Sequence, residues 1–258
     1  MINSYHTHTA RCHHATGADE EYVKKAIAEG VKLLGFSDHA PMNYGGGYIC
    51  DYKMLPSELS EYCDSLIALR EKYKGQIDIK IGLEAEYYPE LWQDALKLWQ
   101  DYPIDYLILG QHYMGDEREL DRTIYESTEK ARLREYVDVI IEGVGTGKFT
   151  YVAHPDILNY VGDDEEFLRS EYRRLIKAII DAGMPLEYNL LGMVEGRNYP
   201  SLPFWQEAAA LGAVAILGCD AHAPKRVCAP DEIARATEFL RGLGVTLTDE
   251  IRLVSPFN

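Results

Sequence analysis

The sequence predicts a single α/β domain whose parallel strands curl into a closed or nearly closed barrel. Seven short apolar segments alternate with seven longer amphipathic segments along the 258 residues, which is typical of strand–helix units around a parallel sheet. No Pro/Ser-rich linker or low-complexity tract interrupts this alternation, so residues 1–258 are predicted to form one domain. Seven units without a Gly-x-Gly-x-x-Gly motif after the first strand favour a barrel, and a doubly wound open sheet is the alternative.

Each predicted strand is an apolar run, and each predicted helix repeats its apolar residues at helical spacing. The strands are predicted at residues 2–8, 32–40, 77–87, 104–114, 149–156, 184–191 and 213–222. The helices are predicted at residues 19–30, 56–73, from Pro89 onward, 127–144, 165–182, 204–211 and 231–243. In the second helix, the spacing predicts one buried stripe, made of Leu59, Tyr62, Cys63, Leu66 and Leu69.

The charge balance argues against several classes of partner. With 26 Lys and Arg against 42 Asp and Glu, the formal net charge is −16, which repels nucleic acid and anionic membrane surfaces. Phosphate esters are repelled as well, so any phosphate chemistry here requires positive charge concentrated at the site. No segment of the sequence approaches the length of apolar chain that a membrane span requires.

The cysteines and the opening residues predict a cytoplasmic protein. The five cysteines are odd in number and include no Cys-x-x-Cys pair, which argues against a disulfide framework. The first residues lack the basic and apolar regions of a signal peptide. We therefore expect a reducing compartment, while the oligomeric state is left open.

Nearly all of the eight histidines fall where a predicted strand gives way to a loop. Four of them lie within the short segment "NSYHTHTARCHHATG" that begins at Asn3. Because the carboxyl ends of all strands gather on one face of a βα barrel, we expect the other four to join this cluster in space. Those four are His39, His112, His154 and His222.

Two carboxylates are expected at the same face, and the combination predicts bound metal. Glu84 lies on the third strand and Asp220 just before His222, while His6 and His8 are two residues apart and point to one side of their strand. One strand-end histidine is more often a satisfied polar group than a ligand. Seven histidines and two carboxylates packed without metal would leave costly unpaired polar groups. Nine ligands exceed the roughly four to six that one ion takes, so two or three ions are predicted, with zinc, iron or manganese favoured.

The same residues resemble, in order, the motifs of the polymerase-and-histidinol-phosphatase (PHP) superfamily. The motifs are "HTH" with a following C-x-H, "DHAP", "GLEAEY", "GQH", "HPD" and "GCDAH", and as an ordered set they are specific and span nearly the whole chain. The sequence is most similar to the histidinol-phosphatase branch, because H-x-H-T-x-x-C-x-H, S-D-H-A-P and "LEYNLLG" all fit that branch.

The resemblance implies a distorted (β/α)₇ barrel that holds three divalent metal ions, manganese, iron or zinc. Among the expected catalytic residues are Asp220 and His39, with Asp38 as a candidate acid for the leaving group. His13 falls outside the pattern and is given no role. The metal ligands that the resemblance implies are His6, His8, His14, His39, Glu84, His112, His154, Asp220 and His222.

One part of the resemblance is incomplete. The branch often follows the asparagine of its sixth strand, here Asn189, with Gly-Leu-Arg, whose arginine is a candidate phosphate clamp. This sequence has Gly192, Met193 and Val194 at that place. Arg197 is the nearest arginine and is the expected substitute in substrate binding.

The activity that the resemblance implies is hydrolysis of a small phosphomonoester, L-histidinol phosphate, in histidine biosynthesis. Activated water is expected to attack phosphorus directly, without a covalent phosphoenzyme. A nuclease or nucleotide phosphatase of the same superfamily is an alternative that the acidic charge disfavours. A second alternative is a metal-dependent amidohydrolase. Such enzymes often have a bridging lysine at strand four, where this chain has Gln111 and His112. A third alternative is a non-catalytic metal store, which would require a closed ligand set that an open barrel mouth does not provide.

Overall fold

The computed structural model describes residues 3–115, 117–118, 124 and 126–257. Ile2, with which the first predicted strand begins, and both ends of the predicted domain lie outside the described residues. The described residues form one sheet of eight parallel strands in sequential order. The strands are β1 (Asn3–Ser4), β2 (Leu33–His39), β3 (Asp78–Ala85), β4 (Tyr106–Leu109), β5 (Tyr151–Val152), β6 (Leu186–Asn189), β7 (Val214–Gly218) and β8 (Thr246–Leu247).

Helices connect the strands and cover the outside of the sheet. The buried face of the second helix contains the five residues predicted from its spacing. None of the helices in the described part of the chain has the length and apolar character needed to cross a bilayer. The helices described are α1 (Asp19–Ala28), α2 (Leu59–Lys72), α3 (Trp92–Trp99), α4 (Lys130–Gly145), α5 (Glu165–Asp181), α6 (Leu190–Glu195), α7 (Leu202–Ala210) and α8 (Pro230–Leu243).

The sheet closes through the chain that follows β1. Thr7 forms a parallel bridge with Ala221, in which the His8 amide donates to the Ala221 carbonyl at 3.1 Å and the Ala221 amide donates to the His6 carbonyl at 3.3 Å. On its other side the Thr7 carbonyl accepts from the Ser37 amide at 2.8 Å. The first seven strands therefore form a ring, and the predicted distorted (β/α)₇ barrel is confirmed over the doubly wound alternative.

Two elements were not predicted. β8 has only two residues and pairs with the start of β7, so its apolar signal is too short to recognise. The strand predicted to run through Leu191 ends at Asn189, whose side chain accepts from the Gly192 amide at 2.9 Å and begins α6. The prediction for α4 was wrong at its start, because the Ser127 amide donates to the carbonyl of Asn159 instead of joining a helix.

Tyr106 fills the interior of the barrel. Its side chain is fully buried, and its hydroxyl donates to the Tyr5 carbonyl across the barrel at 2.6 Å. Gly82 on β3 and Gly35 on β2 make room for it, because a Cβ at Gly82 would lie 2.5 Å from the tyrosine ring and one at Gly35 would lie 2.2 Å from its hydroxyl. The barrel is therefore a packed core and not a pore, with its chemistry confined to one end.

Replacing Gly82 with alanine should destabilise the protein by about 1–3 kcal/mol, since the added methyl group overpacks the barrel interior. Gly242→Ala is the matched control, because a Cβ at this position of α8 meets nothing within 4 Å and alanine favours a helix. Urea unfolding of both variants measures the difference. An unchanged midpoint for Gly82→Ala would show that Tyr106 does not restrict this space.

Candidate metal centre

The nine predicted ligands all lie at the carboxyl end of the barrel. β2 ends at one of them and β3 ends one residue after another, while four more follow β4, β5 and β7 within four residues. The histidines of the opening segment approach from the extended chain after β1 and from the short helical turn that follows it. The side chains brought together are His6, His8, His14, His39, Glu84, His112, His154, Asp220 and His222.

His6 and His8 direct their Nε2 atoms toward the same point. Nδ1 of His6 contacts Glu187 at 2.9 Å, and Nδ1 of His8 contacts Asp38 at 3.3 Å. In the neutral form of each ring, these carboxylates hold the proton at Nδ1, which leaves a lone pair on Nε2. The two Nε2 atoms lie 3.2 Å apart, and Asp220 Oδ1 lies 3.1 Å from Nε2 of His8. Acceptor atoms that face one another so closely fit a bound cation.

Glu84 is a buried carboxylate at the centre of the cluster. Its Oε2 atom lies 3.0 Å from Nδ1 of His39 and 3.6 Å from Nε2 of His8. Its Oε1 atom lies 2.9 Å from Nε2 of His154. Among the described residues, Glu84 Oε2 nevertheless has no hydrogen-bond partner. A buried carboxylate oxygen that lacks a hydrogen-bond donor and faces imidazole nitrogens fits the role of a metal ligand.

Two further groups of donors flank this centre. The ligand atoms of His14, His39 and His222 lie within 4.8 Å of one another, with the rings of His14 and His222 stacked at 4.6 Å. On the opposite side, Nε2 of His112 lies 4.0 Å from Glu84 Oε1, and Nδ1 of the same ring contacts Glu86 at 3.1 Å. The donors therefore extend across the mouth of the barrel and exceed what one ion needs.

The protonation states at the edge of the cluster suit metal binding. Burial lowers the pKa of His39 to about 4, and burial together with the charge of His8 lowers the pKa of His222 to about 3. Burial raises the pKa of Asp220, but the surrounding histidines outweigh it and hold that pKa well below its ordinary value. Neutral imidazoles and an ionised carboxylate are the forms that coordinate a metal ion.

The centre of the cluster attracts positive charge. Burial lowers the pKa of His6, but Glu187, Asp220 and Glu84 raise it well above its ordinary value overall. The pKa of His8 is also raised, by Asp220 and Asp38 against the effect of burial. Protons and metal ions compete for such nitrogens, so a divalent cation can take the place of the protons that these carboxylates favour.

The backbone is strained at two of the nine residues. His154 has a φ of 30° and Asp220 a φ of 47°, both in the left-handed region that side chains other than glycine rarely adopt. Each such residue costs on the order of 1–3 kcal/mol. The strands that precede them hold this conformation, and the result is that both side chains point into the cluster.

A cavity of about 750 Å³ opens above the cluster. Arg197 lines it, as a phosphate clamp would, but its guanidinium group is already engaged by two neighbours. It donates to Glu195 at 2.9 and 2.6 Å and to the Tyr199 hydroxyl at 2.7 Å. Arg197 therefore lines the cavity, but its guanidinium group is already paired with the carboxylate of Glu195.

Asp38 lies behind the cluster and not on the wall of the cavity. It is fully buried behind His8 and does not line the cavity. Burial raises its pKa, but hydrogen bonds from His8 and Thr9 hold that pKa below its ordinary value. An ionised carboxylate that does not line the cavity is poorly placed to donate a proton, so the structure adds no support to the predicted role of Asp38 as the acid. His13 is half-exposed and faces Glu58, away from the cluster.

Sequence reasoning missed the residues that hold the ligands from behind. Glu187 is fully buried on β6 and holds His6. Asn189, on the same side of that strand, donates to Glu187 at 2.8 Å and to Asp220 at 3.0 Å. The available signal was the acidic residue inside the apolar run "MPLEYNLL", two positions before the asparagine. Its importance depends on contacts with strands distant in sequence.

Known proteins are similar to this chain along most of its length. A probable histidinol-phosphatase of Deinococcus radiodurans is 28% identical over 259 residues, covering 97% of each chain. The histidinol-phosphatase of Bacillus subtilis is 25% identical over 247 residues, covering 84% of this chain and 92% of its own.

Among solved structures, the fold is similar to that of histidinol phosphate phosphatase from Lactococcus lactis, solved with zinc, L-histidinol and phosphate. The TM-score is 0.74 at 21% identity, with 100% of this chain and 98% of the other covered. The family model described as the PHP domain matches residues 4–190. Since the match spans most of the barrel and six of its seven ring strands, this chain belongs to the PHP domain family.

Proposed function

We propose that this chain is a metal-dependent phosphomonoester hydrolase that converts L-histidinol phosphate and water into L-histidinol and phosphate. The observation that carries the proposal is the convergence of the His6 and His8 Nε2 atoms with Asp220 and Glu84 at the floor of an open cavity. Relatives that match along most of their length are named as histidinol-phosphatases. The chemistry of the cluster and the family relationship both support a step of histidine biosynthesis.

The proposal assigns the nine clustered side chains to three divalent ions, of manganese, iron or zinc. The described residues form five overlapping groups of three donors that could each hold an ion, and three of these groups together contain eight of the nine side chains. The three groups are His6, His8 and Asp220, then His6, Glu84 and His154, and finally His14, His39 and His222. When bound, such ions supply positive charge for the phosphate oxygens and activate water for attack on phosphorus. Their number and identity belong to the proposal.

His39 and Asp220 are the cavity-lining residues to which we assign catalytic roles. Asp220 is held on several sides, because Oδ2 accepts from Asn189 at 3.0 Å while Oδ1 lies 3.1 Å from His8 and 3.3 Å from His222. A carboxylate fixed in this way can orient the attacking water in line with phosphorus. His39 borders the same space, where its neutral ring contacts the carboxylate of Glu84.

The remaining walls of the cavity suit a small substrate that is anionic at one end and cationic at the other. Arg197 offers positive charge for the phosphate, while Glu126 and Glu195 offer negative charge for an ammonium or imidazolium group. The aromatic rings of Tyr52 and Tyr113 stack at 6.2 Å on another wall. A net charge of −16 disfavours nucleic acid as the substrate.

The amidohydrolase alternative lacks its lysine. Among the described residues that line the cavity there is no lysine, and the buried Lys53 contacts Glu86 and Glu117 instead.

The proposal includes a cytoplasmic location. The burial of all five cysteines as thiols is consistent with it.

Purified without chelator and supplied with manganese, the protein should release phosphate from L-histidinol phosphate in strong preference to other phosphomonoesters. Activity should disappear with EDTA and return with the metal. The assay follows inorganic phosphate across a panel that includes nucleotides and short oligonucleotides. Weak release from every ester would refute the histidinol phosphate assignment, and preferential release from oligonucleotides would favour the nuclease alternative.

Asp220→Asn and His8→Ala should each lower kcat by more than about 100-fold and reduce the metal bound per chain. Loss of a residue behind a ligand already costs roughly 10- to 100-fold, and these residues are proposed as ligands. Asp94→Asn is the control, because Asp94 is 71% exposed on α3. Elemental analysis and turnover are measured together, and wild-type metal content in both variants would contradict the ligand assignment.

Arg197→Ala should raise KM for L-histidinol phosphate by about 10-fold or more with a smaller effect on kcat, since a charged hydrogen bond contributes about 1.5–3 kcal/mol. Arg241→Ala, an exposed position on α8 outside the cavity, serves as the control. Steady-state kinetics distinguishes the two parameters. If KM is unchanged in the Arg197 variant, the arginine does not bind the phosphate.

A further inference from the structure

A buried lysine lies beside the metal centre and outside the cavity. Lys53 is 3% exposed, and its ammonium group donates to Glu86 at 3.0 Å, to the Tyr44 hydroxyl at 3.3 Å and, at short range, to Glu117. Burial lowers the pKa of this lysine, but Glu117 and Glu86 raise it well above its ordinary value overall. Lys53 is therefore a charged group that its two carboxylates retain in the interior.

This lysine joins three segments that lie far apart in the sequence. Lys53 itself belongs to the loop between β2 and α2, Glu86 directly follows β3, and Glu117 belongs to the connection after β4. The Tyr88 hydroxyl also donates to Glu86, at short range. The preceding residue in the loop, Tyr52, lines the cavity. The ion pairs thus fix the position of one cavity wall relative to the strand ends.

The same ion pairs lead directly to a proposed metal ligand. Glu86 Oε1 accepts both from Lys53 Nζ at 3.0 Å and from Nδ1 of His112 at 3.1 Å. With its proton held at Nδ1, the His112 ring presents Nε2 toward Glu84, 4.0 Å away. One carboxylate oxygen is therefore shared by the lysine and by the histidine whose orientation it sets.

We propose that Lys53 is a positioning residue that acts through Glu86 to orient His112 as a metal ligand. Its ammonium group fixes the Glu86 carboxylate in the plane that His112 requires, while Glu117 and Tyr44 fix the ammonium group. Lys53 touches neither the cavity nor the other eight ligands, so its effect passes through the one histidine. The inference builds on the metal centre of the proposed function and is independent of the substrate.

The test is a manganese titration of metal-free protein, which uses no phosphate ester. Lys53→Met should weaken the weakest manganese site by about 10- to 100-fold, as expected when the partner behind a ligand is lost. His112→Ala should weaken the same site, and Lys53→Met combined with His112→Ala should lie within about 2-fold of His112→Ala alone. Lys25→Met, which removes an ion pair on α1, should match the wild type.

A structural role alone gives different results. In that case the reductions of manganese affinity caused by Lys53→Met and by His112→Ala multiply in the double variant. Alternatively, Lys53→Met lowers the melting temperature while its manganese affinity stays at the wild-type value. Either result overturns the proposal. Lys53→Met combined with Glu117→Gln removes one charge of each sign, so it should recover stability without recovering affinity. Recovery of full affinity in that variant would also overturn it. Where Lys53→Met does not fold, Lys53→Met combined with Glu117→Gln takes its place and must show the same non-additivity with His112→Ala.

Because the readout is metal affinity, the two proposals fail separately. Absence of histidinol phosphate turnover in a wild-type protein that binds manganese would refute the proposed substrate and leave the role of Lys53 standing. Turnover by the wild type together with unchanged manganese affinity in Lys53→Met would refute the role of Lys53 alone.

Discussion

The site depends on the backbone pairing that closes the barrel between Thr7 and Ala221. Two hydrogen bonds of 3.1 and 3.3 Å join these segments, and each lies next to a cluster residue, His6 and His8 on one side and Asp220 on the other. Without this pairing the sheet would remain open, and the residues from the first and seventh strands would lie at opposite edges. The contacts between His8 and Asp220 therefore follow from the closure of the fold.

The place of the ligands at strand ends explains which parts of the site the sequence predicts. A ligand at a strand end needs only two pieces of information, the end of an apolar run and the rule that parallel strands end on one face. His39, His112 and His154 satisfy both conditions, and the structure brings them together. The barrel itself was predictable for the same reason, since the alternation of strands and helices is a local signal repeated seven times.

The residues behind the ligands were not predictable in this way, because each acts across strands. Glu187 on β6 holds His6 from the first segment, and Lys53 reaches Glu86 from another loop. Asp38 shows the same limit. The sequence offered it as a candidate acid for the leaving group, whereas the contact that the structure shows is with Nδ1 of His8. Position along a strand predicts the end of the barrel at which a side chain lies, but its hydrogen-bond partner depends on the neighbouring strand.

The charges of the site explain what bound cations would contribute within the proposed function. Without cations, the floor of the cavity is dominated by the carboxylates of Glu84 and Asp220, with Glu187 directly behind them, in a protein of net charge −16. Arg197, the arginine on the cavity wall, is shared with Glu195. Without metal, these carboxylates retain protons on His6 and His8, whose pKa they raise, so little positive charge is left to face a phosphate monoester. Within the proposed function, divalent cations would supply that charge, and the acidic surroundings that disfavour phosphate are the same ones that would retain the cations.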